Sequence, residues 1–141
     1  MEWGNDWAWG LPLLVFTVVF HVTSFMLLTR NLVPEDSASR DKILRFIVLV
    51  AVIALSAATL HGLEAVAWAL LYLWLGAVPD PSDAVLYSLG AITSYGHVDI
   101  FLKDGWRLLG AIEAVNGLIL FGLTTAFLFA AIQKAWPGRI A

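Results

Sequence analysis

Hydrophobic residues in this chain gather into three long runs, at about residues 11–29, 46–77 and 108–133. Each meets the roughly 20 residues that a hydrocarbon core demands, so three membrane-spanning helices are expected. At about 1.5 Å per residue the middle run reaches nearly 50 Å, longer than a bilayer core requires. It must tilt, kink or project beyond the bilayer, and Gly62 marks a flex point if it kinks. Between the second and third runs lies a different segment, residues 84–99, reading A-V-L-Y-S-L-G-A-I-T-S-Y-G-H-V-D. It is too short and too polar to span. Pro79 and Pro81 are expected to end the middle helix, and Ser82 or Asp83 to cap a short helix over about residues 84–92. Non-helical backbone survives at membrane depth only where protein surrounds it or where it lines water, so the segment reads as a re-entrant pore loop.

Composition agrees with the membrane reading. Of 141 residues, 60% are hydrophobic, and a small globule cannot hide that much apolar surface. The mean hydropathy is +0.83. There is no cysteine, which removes disulfides and thiolate metal sites from consideration. Glu2 and Asp6 precede the first run where a signal peptide carries positive charge, so that run is expected to be retained. Arg30, Arg40, Lys42 and Arg45 flank the first connection and Lys134 and Arg139 follow the last run, together six of the eight basic residues. The positive-inside rule places both regions in the cytoplasm, with the N-terminus and the polar segment outside, in a cell inner or plasma membrane. Trp3, Trp7 and Trp9 then form an outer aromatic belt and Trp136 an inner one, and Pro34-Glu35-Asp36-Ser37 reads as a solvated turn.

The order long helix, short helix, T-S-Y-G-H-V-D-I, long helix resembles the pore module of the potassium-channel superfamily, whose filter reads T-T-V-G-Y-G-D-I or close to it. Thr93, Ser94, Gly96, Asp99 and Ile100 carry the match; Tyr95, His97 and Val98 depart from it. Downstream, residues 117–126 resemble the inner-helix pattern G-x-x-x-F-G-L-x-T-A of two-helix potassium channels. The resemblance covers residues 43–135 and leaves the first helix outside it.

That resemblance implies an all-α membrane protein with three transmembrane helices plus a re-entrant pore helix and filter loop per subunit, in a fourfold assembly. Residues 1–42 would form the extra helix and its linker, and residues 43–141 the pore domain, with pore helix and filter over 82–100 and inner helix over 107–135. It further implies a filter of Thr93, Ser94, Tyr95, Gly96, His97, Val98 and Asp99, a hinge at Gly117 and Gly122, and a cavity lined by Leu118, Phe121, Thr125 and Phe129. The negative end of the pore helix would favour a cation in that cavity. Val98 is β-branched where the family has a glycine at positive φ, so fewer carbonyl sites and weaker preference for potassium over sodium are expected. His97 either takes the structural place of the family tyrosine or, beside Asp99, makes conduction depend on pH.

Four ionisable side chains fall within or near hydrocarbon, where charge is costly: His21, His61, Glu64 and Glu113. His61, Glu64 and Trp68 share one helical face, which should pack against protein. Buried polar support is the expected role of these four and of Asn116, with Glu113 reaching the pore segment or Glu64 reaching His21. A proton or divalent-metal site of His21, His61 and Glu64 is the rival reading, and a haem held by paired histidines a third. Ser88 is expected to have no base beside it, and no enzyme constellation is evident. The first helix lacks the spaced arginines of a voltage sensor. The expectation is a homotetrameric channel passing K+ and Na+ passively, with only the lipid bilayer and its own copies as partners. It needs no cofactor, metal, nucleic acid or small-molecule substrate. A non-conducting channel-like scaffold or partner subunit is the alternative.

Overall fold

The computed structural model describes residues 3–32, 42–96 and 99–136. They form four helices: α1 (Trp3–Leu32), α2 (Lys42–Trp74), α3 (Pro81–Ile92) and α4 (Arg107–Ala135), with no strand among the described residues. Three of them, α1, α2 and α4, are long and apolar enough to cross a membrane. No more than 22% of the apolar window of any of the three is buried within the protomer. Most of their hydrophobic surface therefore faces outward, as in a chain surrounded by lipid or by its own copies.

Contacts between side chains settle how the helices run. Asp6 meets Leu109, Thr17 meets Asn116, His21 meets Thr124 and Phe25 stacks on Phe127. Partners that climb together along both helices mean that α1 and α4 are parallel. On α2 the order reverses, since Phe46 meets Trp136, His61 meets Thr124 and Tyr72 meets Glu113. The short helix runs parallel to α4, with Tyr87 beside Gly110, Ser88 beside Glu113 and Ile92 beside Gly117.

Pro12 lies inside α1 and Gly62 inside α2, and both helices continue through them. Gly62 is not a break: α2 is one helix of 33 residues. Its end is not set by Pro79 or Pro81, contrary to expectation. Gly76 takes a left-handed φ of 64°, and Gly76 N–H donates to the Leu73 carbonyl while Ala77 N–H donates to that of Tyr72. Glycine accepts that conformation without the Cβ clash other residues meet, and the paired bonds satisfy carbonyls the helix would leave open. The cap of α3 also moves, from Ser82 or Asp83 to Asp80, whose carboxylate accepts from Asp83 N–H at 3.0 Å. Pro81 then occupies the first turn, where a missing N–H costs nothing.

The N-terminus of α4 is capped from another helix. Trp106 at its N-cap makes no side-chain capping bond, and instead the buried Asp6 of α1 accepts from Leu109 N–H at 2.9 Å. A carboxylate there accepts from a first-turn N–H that it shares with the Trp106 carbonyl, and it answers the positive end of the helix dipole. In the sequence Asp6 is legible only as a charge ahead of the first run. Around this joint lies the largest apolar core, including Trp68, Tyr72, Val78, Leu109 and Ile112, which locks α2, α3 and α4 together at one end.

Candidate functional site

Two regions carry polar chemistry. The first follows α3. Its C-cap is Thr93, whose Oγ1 donates to the Leu89 carbonyl at 2.5 Å. Ser94 has φ 56° and Gly96 φ 87°, both in the left-handed region. Ser94 N–H donates to the Ala91 carbonyl, and Gly96 N–H reaches back to Gly90 at 3.2 Å. The chain thus doubles back along the helix it has just left. By Lys103 it has returned to the end where α2 stops, because Lys103 N–H donates to the Ala77 carbonyl at 3.1 Å. Thr93, Ser94, Tyr95, Gly96 and Asp99 are all exposed, with Tyr95 at 90%. Leu86, Leu89, Gly90, Thr93, Tyr95 and Gly96 border an open hollow of about 380 Å³ with Asp99 and Ile100. His97 and Val98 lie outside the described residues.

Gly117 sits where α3 ends against α4. A Cβ there would overlap the Ile92 carbonyl, so the residue permits a backbone contact that any side chain would prevent. Gly122, by contrast, has open space where a Cβ would stand. Leu118, Phe121, Thr125 and Phe129 all lie on exposed parts of α4.

Behind the loop stands Glu113, fully buried. Its Oε1 accepts a short hydrogen bond from Ser88 of α3 and its Oε2 another from Tyr72 of α2. Ser88 also lies 2.6 Å from the Ala65 carbonyl. The expectation that Ser88 has no base beside it is therefore corrected, since a carboxylate touches its hydroxyl. Both groups are sealed from solvent, and the contact ties three helices together. Asn116, one turn on, does not join them: its Nδ2 donates to Thr17 of α1 at 2.8 Å. Ser88, Tyr72 and Thr17 were missed as partners because a lone hydroxyl on an apolar helix gives no sign in sequence of what it faces.

The second region joins α1, α2 and α4 deeper in the bundle. His21 Nδ1 lies 2.8 Å from Glu64 Oε1, and His61 Nδ1 lies 3.3 Å from Glu64 Oε2. The second pair is close enough for an ion pair but misaligned for a hydrogen bond, and both its atoms are buried without a hydrogen-bond partner. On the far side of each ring Nε2 contacts Thr124 Oγ1, at 2.9 Å from His21 and 3.1 Å from His61. Thr124 was not anticipated; it closes the ring. The imidazole centroids are 5.2 Å apart and share this hydroxyl, which leaves no space for a porphyrin between them. His61 also stacks on Phe121, at 4.2 Å.

No protein-family profile, curated protein or solved structure matches this chain.

Proposed function

We propose that the chain is the subunit of a homotetrameric cation channel, in which α2 is the outer helix, α3 the pore helix, Thr93 to Asp99 the filter and α4 the inner helix. One observation carries the reading. From the closed end of α2 the short helix descends beside α4 to Gly117, and the chain then reverses through two left-handed residues and returns to Ala77. Gly117 lies ten residues into α4, about 15 Å along it; if α4 enters the hydrocarbon at its first turn, the tip of α3 would reach about half of a core about 30 Å thick. A helix that enters to half depth and a polar chain that comes back out suit a water-lined path, because lipid cannot satisfy the exposed backbone.

Passive conduction follows from such an arrangement. Backbone carbonyls of the returning segment, with the Ser94 hydroxyl, would replace part of the ion's hydration shell, and several copies around an axis would complete the path. Gly96 at positive φ fits the place of the first filter glycine in the family that the sequence resembles. Leu118, Phe121, Thr125 and Phe129 would face the path below it, and Asp99 would gather cations at its mouth. Gly117 is better supported as the seat of the pore helix than as a hinge, given the Ile92 contact.

The test is flux of K+ and Na+ through liposomes holding the purified protein, with Gly96→Asp as the blocked control. Flux in the wild type that the variant abolishes supports the channel; no flux of either ion at acid or neutral pH favours the scaffold. In a conducting protein, Val98→Gly with His97→Tyr is expected to raise preference for potassium over sodium. Unchanged selectivity would refute this assignment of the filter.

A further inference from the structure

We propose that His21, His61 and Glu64 form a binding site for a single divalent transition-metal ion, zinc by the chemistry of its ligands, that clamps α1 to α2 beside α4. Metal binding at this cluster is independent of conduction.

All three residues are buried, and one ligand atom from each can be chosen so that all lie within 4.8 Å of one another. Both Nδ1 atoms converge on the same carboxylate, one on each oxygen. In tetrahedral zinc, ligands at about 2.0–2.1 Å from the metal stand roughly 3.3 Å apart. The His61 Nδ1 to Glu64 Oε2 distance is 3.3 Å, and both atoms are buried without a hydrogen-bond partner. Buried polar atoms normally find partners, so an orphaned donor–acceptor pair at ligand spacing needs an explanation. A small movement of His21 away from Oε1 would supply the third ligand.

Thr124 explains why the rings point as they do. A metal-bound histidine commonly presents its other ring N–H to an oxygen that fixes the ring. Here both Nε2 atoms meet one hydroxyl oxygen. With the metal on both Nδ1 atoms, both Nε2–H groups donate to the two lone pairs of Thr124 Oγ1. Without metal, neutral rings that donate from Nε2 turn bare Nδ1 lone pairs toward the Glu64 carboxylate, and rings that carry their proton at Nδ1 compete for the single Thr124 proton. A metal on the Nδ1 atoms removes that conflict, because it uses the Nδ1 lone pairs as ligands and leaves both Nε2–H groups to donate. Water fills the fourth position. If zinc ionises that water, the hydroxide and Glu64 together balance the charge of the ion, which matters in a region where uncompensated charge is costly. His61 alone of the three reaches the surface, at 7% exposure beside the half-open Phe121, and marks the way in.

The experiment uses the full chain in detergent, purified through a tag without histidine, stripped by chelator and titrated with Co2+ and then Zn2+. One Co2+ per chain is expected, with the intense visible absorption of a four-coordinate site, lost when Zn2+ displaces it. Glu64→Gln and His61→Ala should abolish that signal. Thr124→Val keeps every ligand and should weaken affinity by roughly 10–100-fold. A wild type that shows no such spectrum overturns the proposal, as does Glu64→Gln that binds as tightly as wild type. Should His61→Ala fail to fold, the wild-type spectrum and the Thr124→Val affinity still decide.

Discussion

Two buried glutamates, Glu64 and Glu113, sit on spanning helices of the same protomer with no more than 1% exposure, and their surroundings differ in one chemical respect. Glu113 faces two hydroxyl donors, Ser88 and Tyr72, one on each oxygen. Glu64 faces two imidazoles, of which only His21 hydrogen-bonds. A hydroxyl on each oxygen gives the first carboxylate a hydrogen bond at both oxygens, and these partners are hydroxyls rather than metal-ligating imidazoles. Imidazoles can donate, accept or coordinate, so the second carboxylate keeps open capacity. Burial by itself therefore says little about function. What surrounds the charge decides whether it is a joint or a site.

Deleting each carboxylate should separate the two sites most strongly. Glu113→Ala leaves the hydroxyl of Tyr72 buried without a partner and takes from Ser88 its carboxylate, so a loss of about 3–5 kcal/mol is expected. It should appear as a large fall in the thermal midpoint in detergent and as loss of protection of α3 in hydrogen exchange. Glu64→Ala, in metal-free protein, should cost less, since His21 and His61 retain Thr124 as a partner. Equal losses at the two positions would contradict the distinction.

A second perturbation acts on the seat of α3 while leaving both carboxylates in place. Gly117→Val forces a side chain into the Ile92 carbonyl, and overpacking of this kind costs about 1–3 kcal/mol. Flux should fall sharply, whereas Gly122→Ala, with open space at its Cβ, should leave both stability and flux close to wild type. Comparable effects at the two glycines would argue against a packing role for Gly117.

Metal sharpens the contrast from the other side. If Zn2+ is present at about 100 times its dissociation constant, linkage predicts about 2.7 kcal/mol of added stability for wild type. Glu64→Gln should gain nothing, and Tyr72→Phe, which alters only the Glu113 joint, should gain as much as wild type. The smallest effect is expected at Asp6→Ala, which removes the cap that α1 lends to α4, at about 0.5–2 kcal/mol in thermal unfolding.

How much of this was legible beforehand depends on the range of the interaction. The three apolar runs matched three long helices to within a few residues at most ends, because crossing hydrocarbon demands a length and an apolarity that a linear reading can count. The first run extended outward to Trp3, since helix continues past the apolar stretch where nothing stops it. The stop of α2 was placed too late because proline is conspicuous in a sequence, while Gly76 acts only through a backbone angle. His61, Glu64 and Trp68 were legible as one face because three and four residues are less than or about one turn. A meeting of Glu64 with His21 was among the expectations, because charge within hydrocarbon needs a partner, whereas the Thr124 hydroxyl, 63 residues from His61, was not.

By itself, then, the sequence determined a membrane chain of three spanning helices and a shorter polar segment, for these follow from local composition and helical period. Tertiary structure alone decided that α1 runs parallel to α4 and caps it through Asp6. It alone seated Ile92 on Gly117, brought the hydroxyls of Ser88 and Tyr72 to Glu113, and set Thr124 between His21 and His61. Those outcomes depend on register between helices far apart in the chain. A shift of one residue, about 100° around a helix, would exchange every partner at once.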